Sequence, residues 1–379
     1  MRVSPLLTYS TILSFLGLLF ISSSSLFEAE NTIGDPYFFL KKQVIWLFIG
    51  FVALFITSKI KLDTVVNNSF RFYILSMILL VLVLIPGIGF KSLGARRQID
   101  LGFINFQPSE LFKLASIIFF PYLFSLKENR NLRNLALYLG LPFILIILEP
   151  NLSTAAMIAA IVISVYYLSG AEIVSLFFAG TTVVVLSLAM IAISPYRLNR
   201  VKTLLNQQQN KDLSYHSQQM ILSLASGSWS GKGFANSDHK YKFLPKISTD
   251  SILAIIGEEI GFVGLTLITY LFLLLISRLI RISQIATNAW EKLVVGGIAC
   301  WISYQGLINF AAIVALIPLT GIPFPFIAYG GSSLITLFAA LGLAINIENK
   351  YAKLLYFKND RNEKDNPHRY SSDPRHRTN

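Results

Sequence analysis

Long apolar runs recur along the whole chain, and they constrain its fold more than any other feature. Each run has about the 17–25 residues that a helix needs to cross the hydrocarbon core of a bilayer. Only helices and closed barrels satisfy the backbone in lipid, and these runs are too uniformly apolar for alternating barrel strands. The sequence therefore predicts an all-α, polytopic membrane protein of about ten transmembrane helices. The predicted spans are 6–27, 40–58, 70–87, 108–126, 134–149, 152–169, 172–194, 251–276, 292–316 and 331–349.

Composition favours a bilayer over water as the solvent. Charged residues make up 14% of the 379 residues and hydrophobic residues 54%, whereas soluble chains carry roughly 25% charge. A net charge of +12 would suggest nucleic acid in a soluble protein. Here it favours a membrane surface or an anionic lipid substrate. The single cysteine, Cys300, excludes an internal disulfide and a cysteine-based metal site.

Basic residues in the short loops set the predicted orientation. Lys and Arg cluster at 59–71, 127–133 and 278–292 and after Asn349, all on one side if ten spans alternate. The positive-inside rule makes that side cytoplasmic, together with both termini. The predicted organisation is helices one to seven over 1–194, a large extracytoplasmic loop over 195–250, helices eight to ten over 251–350 and a disordered cytoplasmic tail over 351–379.

One basic cluster breaks this rule. Lys91, Arg96 and Arg97 would lie outside, which indicates either a topology error or a functional site for an anion. A helix follows, and Glu110 and Lys113 share one of its faces because they are three residues apart. This pair is either a structural ion pair that anchors the helix or a lining for an anionic substrate.

Two segments interrupt the apolar runs by their composition. Glu149–Ala155 is a tight external link in which Pro150 breaks a helix, and a capped turn alone would explain it. Pro318–Ser333 holds too many prolines and glycines for a continuous helix, so at membrane depth it must line a cavity or be buried in protein. Ser332 and Ser333 open the last helix, whose free N–H groups form a natural anion site.

Acidic residues mark the start of the eighth predicted helix. Asp250 lies just before the apolar run, where it would either cap the helix or act as a general base at the membrane–water boundary. Glu258 and Glu259 lie about two turns further on, where ionisable groups are costly and therefore indicate a function. No spacing of ligand residues resembles a metal site, and nucleotide-binding glycine patterns are absent, so nucleotide-driven chemistry is not indicated.

Taken in order and spacing, these motifs resemble the SEDS (shape, elongation, division and sporulation) family of bacteria, which includes RodA and FtsW. The resemblance runs from the first helix to about Lys350. The segments that carry it are Gln107-Pro108-Ser109-Glu110, Leu244-Pro245 with Thr249-Asp250, Gly257-Glu258-Glu259-Ile260-Gly261, and Thr320–Pro323 through Tyr329–Ser333.

The resemblance implies a peptidoglycan glycosyltransferase that polymerises lipid II at the outer face of the bacterial cytoplasmic membrane. It also implies a partner, a class B penicillin-binding transpeptidase. The family's proposed catalytic aspartate falls on Asp250, and its functionally important acid and lysine fall on Glu110 and Lys113. Asn151 departs from the aspartate that the family usually has there, which removes a carboxylate. Residues 195–200 and 236–240 look more like the division branch, FtsW, than like RodA.

The hypothesis is that Asp250 takes the proton from the 4-hydroxyl of the incoming lipid II as it attacks a polyprenyl diphosphate-linked glycan. Positive charge must stabilise the diphosphate leaving group, and a divalent cation (Mg or Mn) is compatible with this, although no dedicated cage is visible. Two alternatives stay open, a flippase for lipid-linked precursors and a non-catalytic scaffold for the transpeptidase. The substrate-binding candidates are Arg96, Arg97, Glu110, Lys113, Glu258, Ser332 and Ser333.

Overall fold

The fold is a bundle of helices in a computed structural model that describes residues 4–92, 95–100, 102, 105–205, 211–239 and 249–365. The helices are α1 (Pro5–Ile33), α2 (Phe38–Lys59), α3 (Leu62–Asn67), α4 (Ser69–Leu84), α5 (Pro108–Ser125), α6 (Leu132–Leu148), α7 (Leu152–Leu168), α8 (Ile173–Ile193), α9 (Pro195–Leu205), α10 (Lys211–Ser226), α11 (Ile252–Ile285), α12 (Ala289–Ile313) and α13 (Gly331–Asp365). The strands are β1 (Gly89–Ser92), β2 (Ala95–Asp100) and β3 (Asn105–Phe106).

The predicted all-α membrane fold is confirmed, because every predicted span coincides with a helix. Six helices among the described residues are long and apolar enough to cross a bilayer, namely α1, α2, α8, α11, α12 and α13. The helices α4, α6 and α7 are apolar but shorter. The count of ten spans therefore stays a prediction.

A small antiparallel sheet that the apolar pattern of the sequence does not predict joins α4 to α5. Gly89 of β1 lies opposite Ile99 of β2, and Ile99 in turn lies opposite Phe106 of β3. The strands have two to six residues, which is too short for an alternating pattern to emerge from the sequence. The sheet gives Arg96 and Arg97 a fixed backbone on β2.

The predicted loop over 195–250 is helical in part. It contains α9 and α10, while residues 206–210 and 240–248 lie outside the described residues. α10 packs along the first turns of α11, where the Ser223 hydroxyl donates to the carbonyl of Ala254 at 3.1 Å. The long loop therefore packs against the N-terminal end of α11, which is the end next to Asp250.

The sequence predicts one uninterrupted helix from 251, but α11 is two helical segments joined at a kink. Gly261 has φ 68° and ψ −170°, a conformation that glycine adopts more readily than other residues. The first segment, residues 252–260, is buried along almost its whole length. A continuous apolar run gave no sign of this break, since glycine also occurs inside intact membrane helices.

Helix α12 lies in the middle of the bundle. The Trp290 indole donates to the carbonyl of Ile118 on α5 at 3.1 Å, and the Tyr304 hydroxyl lies 2.6 Å from that of Ser164 on α7. By contrast, Ala179 is the one buried residue of α8. Residues on α12 thus contact several other helices, whereas α8 lies at the edge.

The end of the chain departs from the prediction. Residues 351–379 were expected to be disordered, but α13 continues to Asp365, and residues 366–379 lie outside the described part. The added turns contain Lys, Glu, Leu and Ala, which have high helix propensity. Charge content was thus a poor guide to backbone conformation here.

Candidate active site

Asp250 lies two residues before α11, and its side chain is half-buried. The Thr249 hydroxyl donates a hydrogen bond to one of its carboxylate oxygens, Oδ1. The side-chain amide of Asn309 donates to its backbone carbonyl at 3.3 Å. The next residue, Ser251, lies 3.1 Å from Nε2 of His216 on α10. The carboxylate is therefore oriented by its neighbours yet accessible, as a general base must be.

The irregular segment between α12 and α13 lies beside Asp250. The same Asn309 amide also donates to the carbonyl of Ile322 at 2.8 Å. A Cβ atom placed on Gly321, which has φ 69°, would lie 3.8 Å from Oδ2 of Asp250. Residues 324–328 of the segment are buried, in agreement with the expectation that it is buried in protein or lines a cavity, and its Gly321 lies close to the carboxylate.

Polar groups on one face of α12 hold this segment in place. Trp301, Gln305 and Asn309 recur every four residues and so share a face, with about 12 Å between the first and the last. The Gln305 amide donates to the carbonyl of Pro323 at 2.9 Å and to the hydroxyl of Ser333 at 3.3 Å. This face therefore links the segment, the start of α13 and Asp250.

Glu110 and Lys113 form a buried ion pair near the start of α5. The Lys113 Nζ lies 2.7 Å from Oε2 of Glu110, and the two side chains are 1% and 7% exposed. The same ammonium lies 5.3 Å from the ring centroid of Trp301, within the range of a cation–π interaction. The geometry thus shows the ion pair, and binding of an anionic substrate by either residue stays a prediction.

Ser332 and Ser333 join the start of α13 to other elements. The Ser332 hydroxyl accepts from the backbone N–H of Gln107 at 3.0 Å and donates to the carbonyl of Asn105 at 3.1 Å. The Ser333 hydroxyl accepts from Gln305, as described above. The two hydroxyls thus have protein partners, and the predicted anion site at the backbone N–H groups of this helix end stays a prediction.

The basic cluster of β2 contacts the link between α6 and α7. The Arg97 Nε donates to the carbonyl of Glu149 at 3.1 Å and its Nη2 to that of Pro150 at 2.6 Å. A cation suits the end of a helix, where carbonyls lack partners. Asn151 occupies the N-cap position of α7 without a side-chain capping bond, and Arg96 is half-buried. A role of either arginine in anion binding stays a prediction.

Glu258 is fully buried in α11 and accepts hydrogen bonds from the long loop. The structure therefore gives its carboxylate the loop as partner, and its predicted contact with substrate stays a prediction. Hydrogen bonds to Asp238 and then to Glu258 raise the pKa of Lys232, so the ammonium stays charged. The donors to Glu258 are Ser223 Oγ (2.9 Å), Lys232 Nζ (2.7 Å), Ser237 Oγ (2.6 Å), the Asp238 N–H (3.2 Å) and His239 Nδ1 (3.0 Å).

Four residues of this region were not among the predicted site residues. Gln305 and Asn309 are polar groups four residues apart inside an apolar run, and that signal was available. Arg200 donates to the carbonyl of residue 319 at 2.8 Å, and Lys232 pairs with Glu258. These last contacts join positions far apart in the chain, so no local pattern could have shown them.

The predicted divalent cation has limited protein ligands. Among the residues that the structure describes, no group of three or more His, Cys, Asp and Glu side chains could hold a metal ion. Mg²⁺ is often bound by one or two carboxylates together with substrate phosphates. The single carboxylate of Asp250 fits that mode, and the cation stays a prediction.

A sequence model of the FtsW, RodA and SpoVE proteins, described as cell cycle proteins, matches residues 4–353. The chain belongs to this family. A probable peptidoglycan glycosyltransferase FtsW of Trichlorobacter lovleyi is 32% identical over 349 residues, which cover 90% of this chain and 92% of the relative. The stage V sporulation protein E of Bacillus subtilis is 33% identical over 362 residues, which cover 93% and 99%. Because these two family members are about equally similar, the lean towards FtsW stays a prediction.

Solved structures share the fold. A chain of a peptidoglycan synthase complex, described as coordinating polymerization and crosslinking, superposes with a TM-score of 0.75 and 24% identity, covering 91% of this chain and 97% of that one. The rod shape determining protein RodA of Thermus thermophilus gives a TM-score of 0.67 and 24% identity, with 91% and 96% covered. The family resemblance and the membrane fold are therefore confirmed.

Proposed function

We propose that this chain is a peptidoglycan glycosyltransferase that polymerises lipid II into glycan strands at the outer face of the bacterial cytoplasmic membrane. One observation carries the proposal. In a chain that the family model matches from residue 4 to 353, the half-buried carboxylate of Asp250 is oriented by Thr249 and faces the irregular segment that Asn309 holds.

The chemistry at Asp250 follows from the needs of glycosyl transfer. The 4-hydroxyl oxygen of lipid II attacks the anomeric carbon of the glycan, and the bond from that carbon to the diphosphate oxygen breaks. Asp250 takes the hydroxyl proton during the attack, because the pKa of a sugar hydroxyl is far above neutrality. The polyprenyl diphosphate leaves with the bonding electron pair. A positioned base typically contributes about 10²–10⁴-fold to such a rate.

The leaving diphosphate needs positive charge. Arg96 and Arg97 on β2 and Lys113 on α5 are the proposed sources, and Arg97 is already oriented by two backbone carbonyls. A divalent cation held by Asp250 and the diphosphate would neutralise further negative charge. Fixed charges near the leaving group stabilise the transition state without reorganisation.

Orientation and partner complete the proposal. Both termini are cytoplasmic, which places Asp250 and the loop over 195–250 outside. The similar chain in the peptidoglycan synthase complex supports a crosslinking partner. In this proposal that partner is a class B penicillin-binding transpeptidase.

The flippase alternative is weaker because of the break in α11. Discontinuous helices often border a transport pathway. In the described residues the break at Gly261 is filled by backbone of the long loop, and Glu258 is enclosed by that loop. The break therefore contributes to the packing of the loop.

The test is polymerisation of purified lipid II by the detergent-solubilised protein, with and without its transpeptidase. Asp250→Asn keeps the size of the side chain and removes the base. Asp35→Asn is the matched control, because Asp35 is an exposed carboxylate whose partner is Lys41. We expect glycan strands from the wild type and the control, and a loss of about 10²–10⁴-fold in Asp250→Asn.

Two outcomes would contradict the proposal. Strand synthesis by Asp250→Asn at the wild-type rate would remove Asp250 as the base. A folded wild-type protein that binds the transpeptidase and never polymerises would favour the scaffold.

A further inference from the structure

A segment of the long loop enters the break in α11. We name residues 227–238 the strap. The kink at Gly261 leaves backbone N–H and C=O groups of α11 without partners inside the helix. The backbone of the strap forms hydrogen bonds with these groups. The four bonds run from the N–H of Lys232 to the carbonyl of Glu258 (2.9 Å), from Gly233 to Glu259 (3.0 Å), from Phe262 to Ser228 (2.9 Å) and from Val263 to Trp229 (3.2 Å).

Glycines allow the strap to approach this closely. A Cβ atom on Gly231 would lie 2.2 Å from the carbonyl oxygen of Glu259, and one on Gly227 would lie 2.0 Å from that of Gly257. Neither distance is possible for real atoms. The strap is therefore in backbone-to-backbone contact with α11, and a small shift of one requires a shift of the other.

The ion pair between Lys232 and Glu258 fastens the strap to the helix. The Lys232 Nζ lies 2.7 Å from Glu258 and 2.8 Å from Asp238 at the end of the strap. The Ser237 hydroxyl adds a bond to the same buried carboxylate. Burial of the Glu258 carboxylate without its cation would be strongly unfavourable. The ion pair therefore keeps the strap bound to α11.

The helical segment that the strap holds is the one that follows Asp250. Residues 252–260 are about nine residues long, too short to be a stable helix by themselves. The Gly261 break separates them from the rest of α11, while the strap and α10 pack against them. The position of Asp250 therefore depends on the strap.

We propose that the strap, through its Lys232–Glu258 pair, is a positioning device that sets the place of the Asp250 carboxylate. Lys232, Ser237 and Glu258 are positioning residues that need not touch the substrate. This inference rests on the proposed function, because it assumes that Asp250 is the base. A displacement of about 1 Å in a reacting group can cost about 10²-fold in rate.

The test compares Lys232→Met with Lys232→Arg. Methionine removes the charge and keeps an unbranched side chain, whereas arginine keeps the ion pair. Lys202→Met is the control for loss of a cation elsewhere in the long loop, since Lys202 is exposed on α9. The measurements are kcat and KM of polymerisation, direct binding of lipid II, and thermal unfolding.

We expect Lys232→Met to lower kcat about 10–100-fold, with KM and lipid II affinity within about twofold of wild type. Lys232→Arg should recover most of kcat, and Lys202→Met should match the wild type. If Lys232→Met does not fold, Ser237→Ala removes one donor and should lower kcat in the same direction.

Other results would overturn the inference. A kcat of Lys232→Met close to wild type would show that the strap does not position the base. If the affinity for lipid II fell by the same factor as kcat, Lys232 would be a binding residue. Failure of the proposed function is distinguishable, because then the wild type itself would not polymerise, whereas failure of the strap alone leaves the wild type active and Asp250→Asn inactive.

Discussion

Lys113 shows how the cost of a buried charge depends on its partner. Its side chain is 1% exposed, and its ammonium is paired with Glu110 at 2.7 Å. Removing one member of such a pair leaves an uncompensated charge, which is worse than removing both. The two interpretations of this pair, a structural anchor and a lining for an anion, therefore differ in what a double substitution does.

We predict that Glu110→Gln and Lys113→Met each lower the free energy of unfolding by about 3–5 kcal/mol. The double variant should recover most of that loss, because neither charge is then buried alone. Unfolding in detergent, followed by heat or denaturant, measures all three. If the double variant lost as much stability as a single variant, or as much as the two single variants together, the pair would not be the main interaction of either residue.

Polymerisation by the same double variant separates the two roles. If Lys113 stabilises the diphosphate, the stable double variant stays inactive on lipid II, and this is the result we expect. Near wild-type strand synthesis by the double variant would assign the pair to structure alone.

At the residue scale the sequence was informative for groups with local context. Asp250 is a candidate because a carboxylate directly precedes an apolar run and because the family resemblance places its proposed catalytic aspartate there. The structure shows it beside the irregular segment, and its catalytic role stays a prediction. Asn309, which contacts both, was missed although it and Gln305 are two amides four residues apart in one apolar span, because such a pair does not by itself show which element it contacts. The contact of Lys232 with Glu258 joins positions 26 residues apart, and a pattern within one helix cannot reveal it.

Among the elements, α11 is the one whose geometry departs most from the predicted helix. Gly231 of the strap has φ +79° and a Cβ there would lie 2.2 Å from the carbonyl of Glu259. Gly34, which caps α1, has nearly the same φ of +82° but no atom within 4 Å of its Cβ position. A comparison of substitutions at these two glycines therefore separates the cost of a left-handed backbone from the cost of close packing.

We predict that Gly34→Ala costs about 1–2 kcal/mol through its left-handed backbone alone. Gly231→Ala should cost more, by about 1–3 kcal/mol, because the strap must also move out of its seat. Thermal unfolding measures both, and polymerisation should fall only in Gly231→Ala. Equal effects of the two substitutions would show that the strap tolerates a side chain and is not closely packed.

At the element scale, apolar length predicted the helices well and short irregular features poorly. Every predicted span coincides with a helix, because few other structures satisfy the backbone hydrogen-bonding groups in lipid. The sheet over 89–106, the kink at Gly261 and the helical extension to Asp365 escaped prediction. Each depends on hydrogen bonds to a neighbouring element or on propensity, and hydropathy reports neither.

For the whole molecule, orientation is the main prediction that can be checked directly. In a Cys300→Ala background, Lys202→Cys on α9 and Asp100→Cys on β2 should react with a membrane-impermeant maleimide in intact cells. Lys127→Cys should react only after the membrane is opened. All three positions are exposed in the structure, so burial does not decide the result.

The Asp100→Cys result decides how the rule-breaking basic cluster is interpreted. Labelling from outside supports an external anion site at Arg96 and Arg97. Labelling only from inside would make the predicted alternation of spans wrong at this point.

The sequence predicted the order of the helices along the chain, but it did not show that α12 lies centrally or that α8 lies at the edge. Helix packing depends on which faces of two helices fit together, and the apolar content of each helix does not reveal this.

The position of the strap in α11 links the topology of the long loop to that of the helix. Only a regular helix satisfies its backbone in lipid without a neighbour, so the groups freed at Gly261 must find partners in another part of the chain. They find them in residues 228–233. The strap and the kink must therefore lie at the same end of the bundle, and a change that moved the strap to the opposite side of the bilayer would leave the break in α11 without its partners.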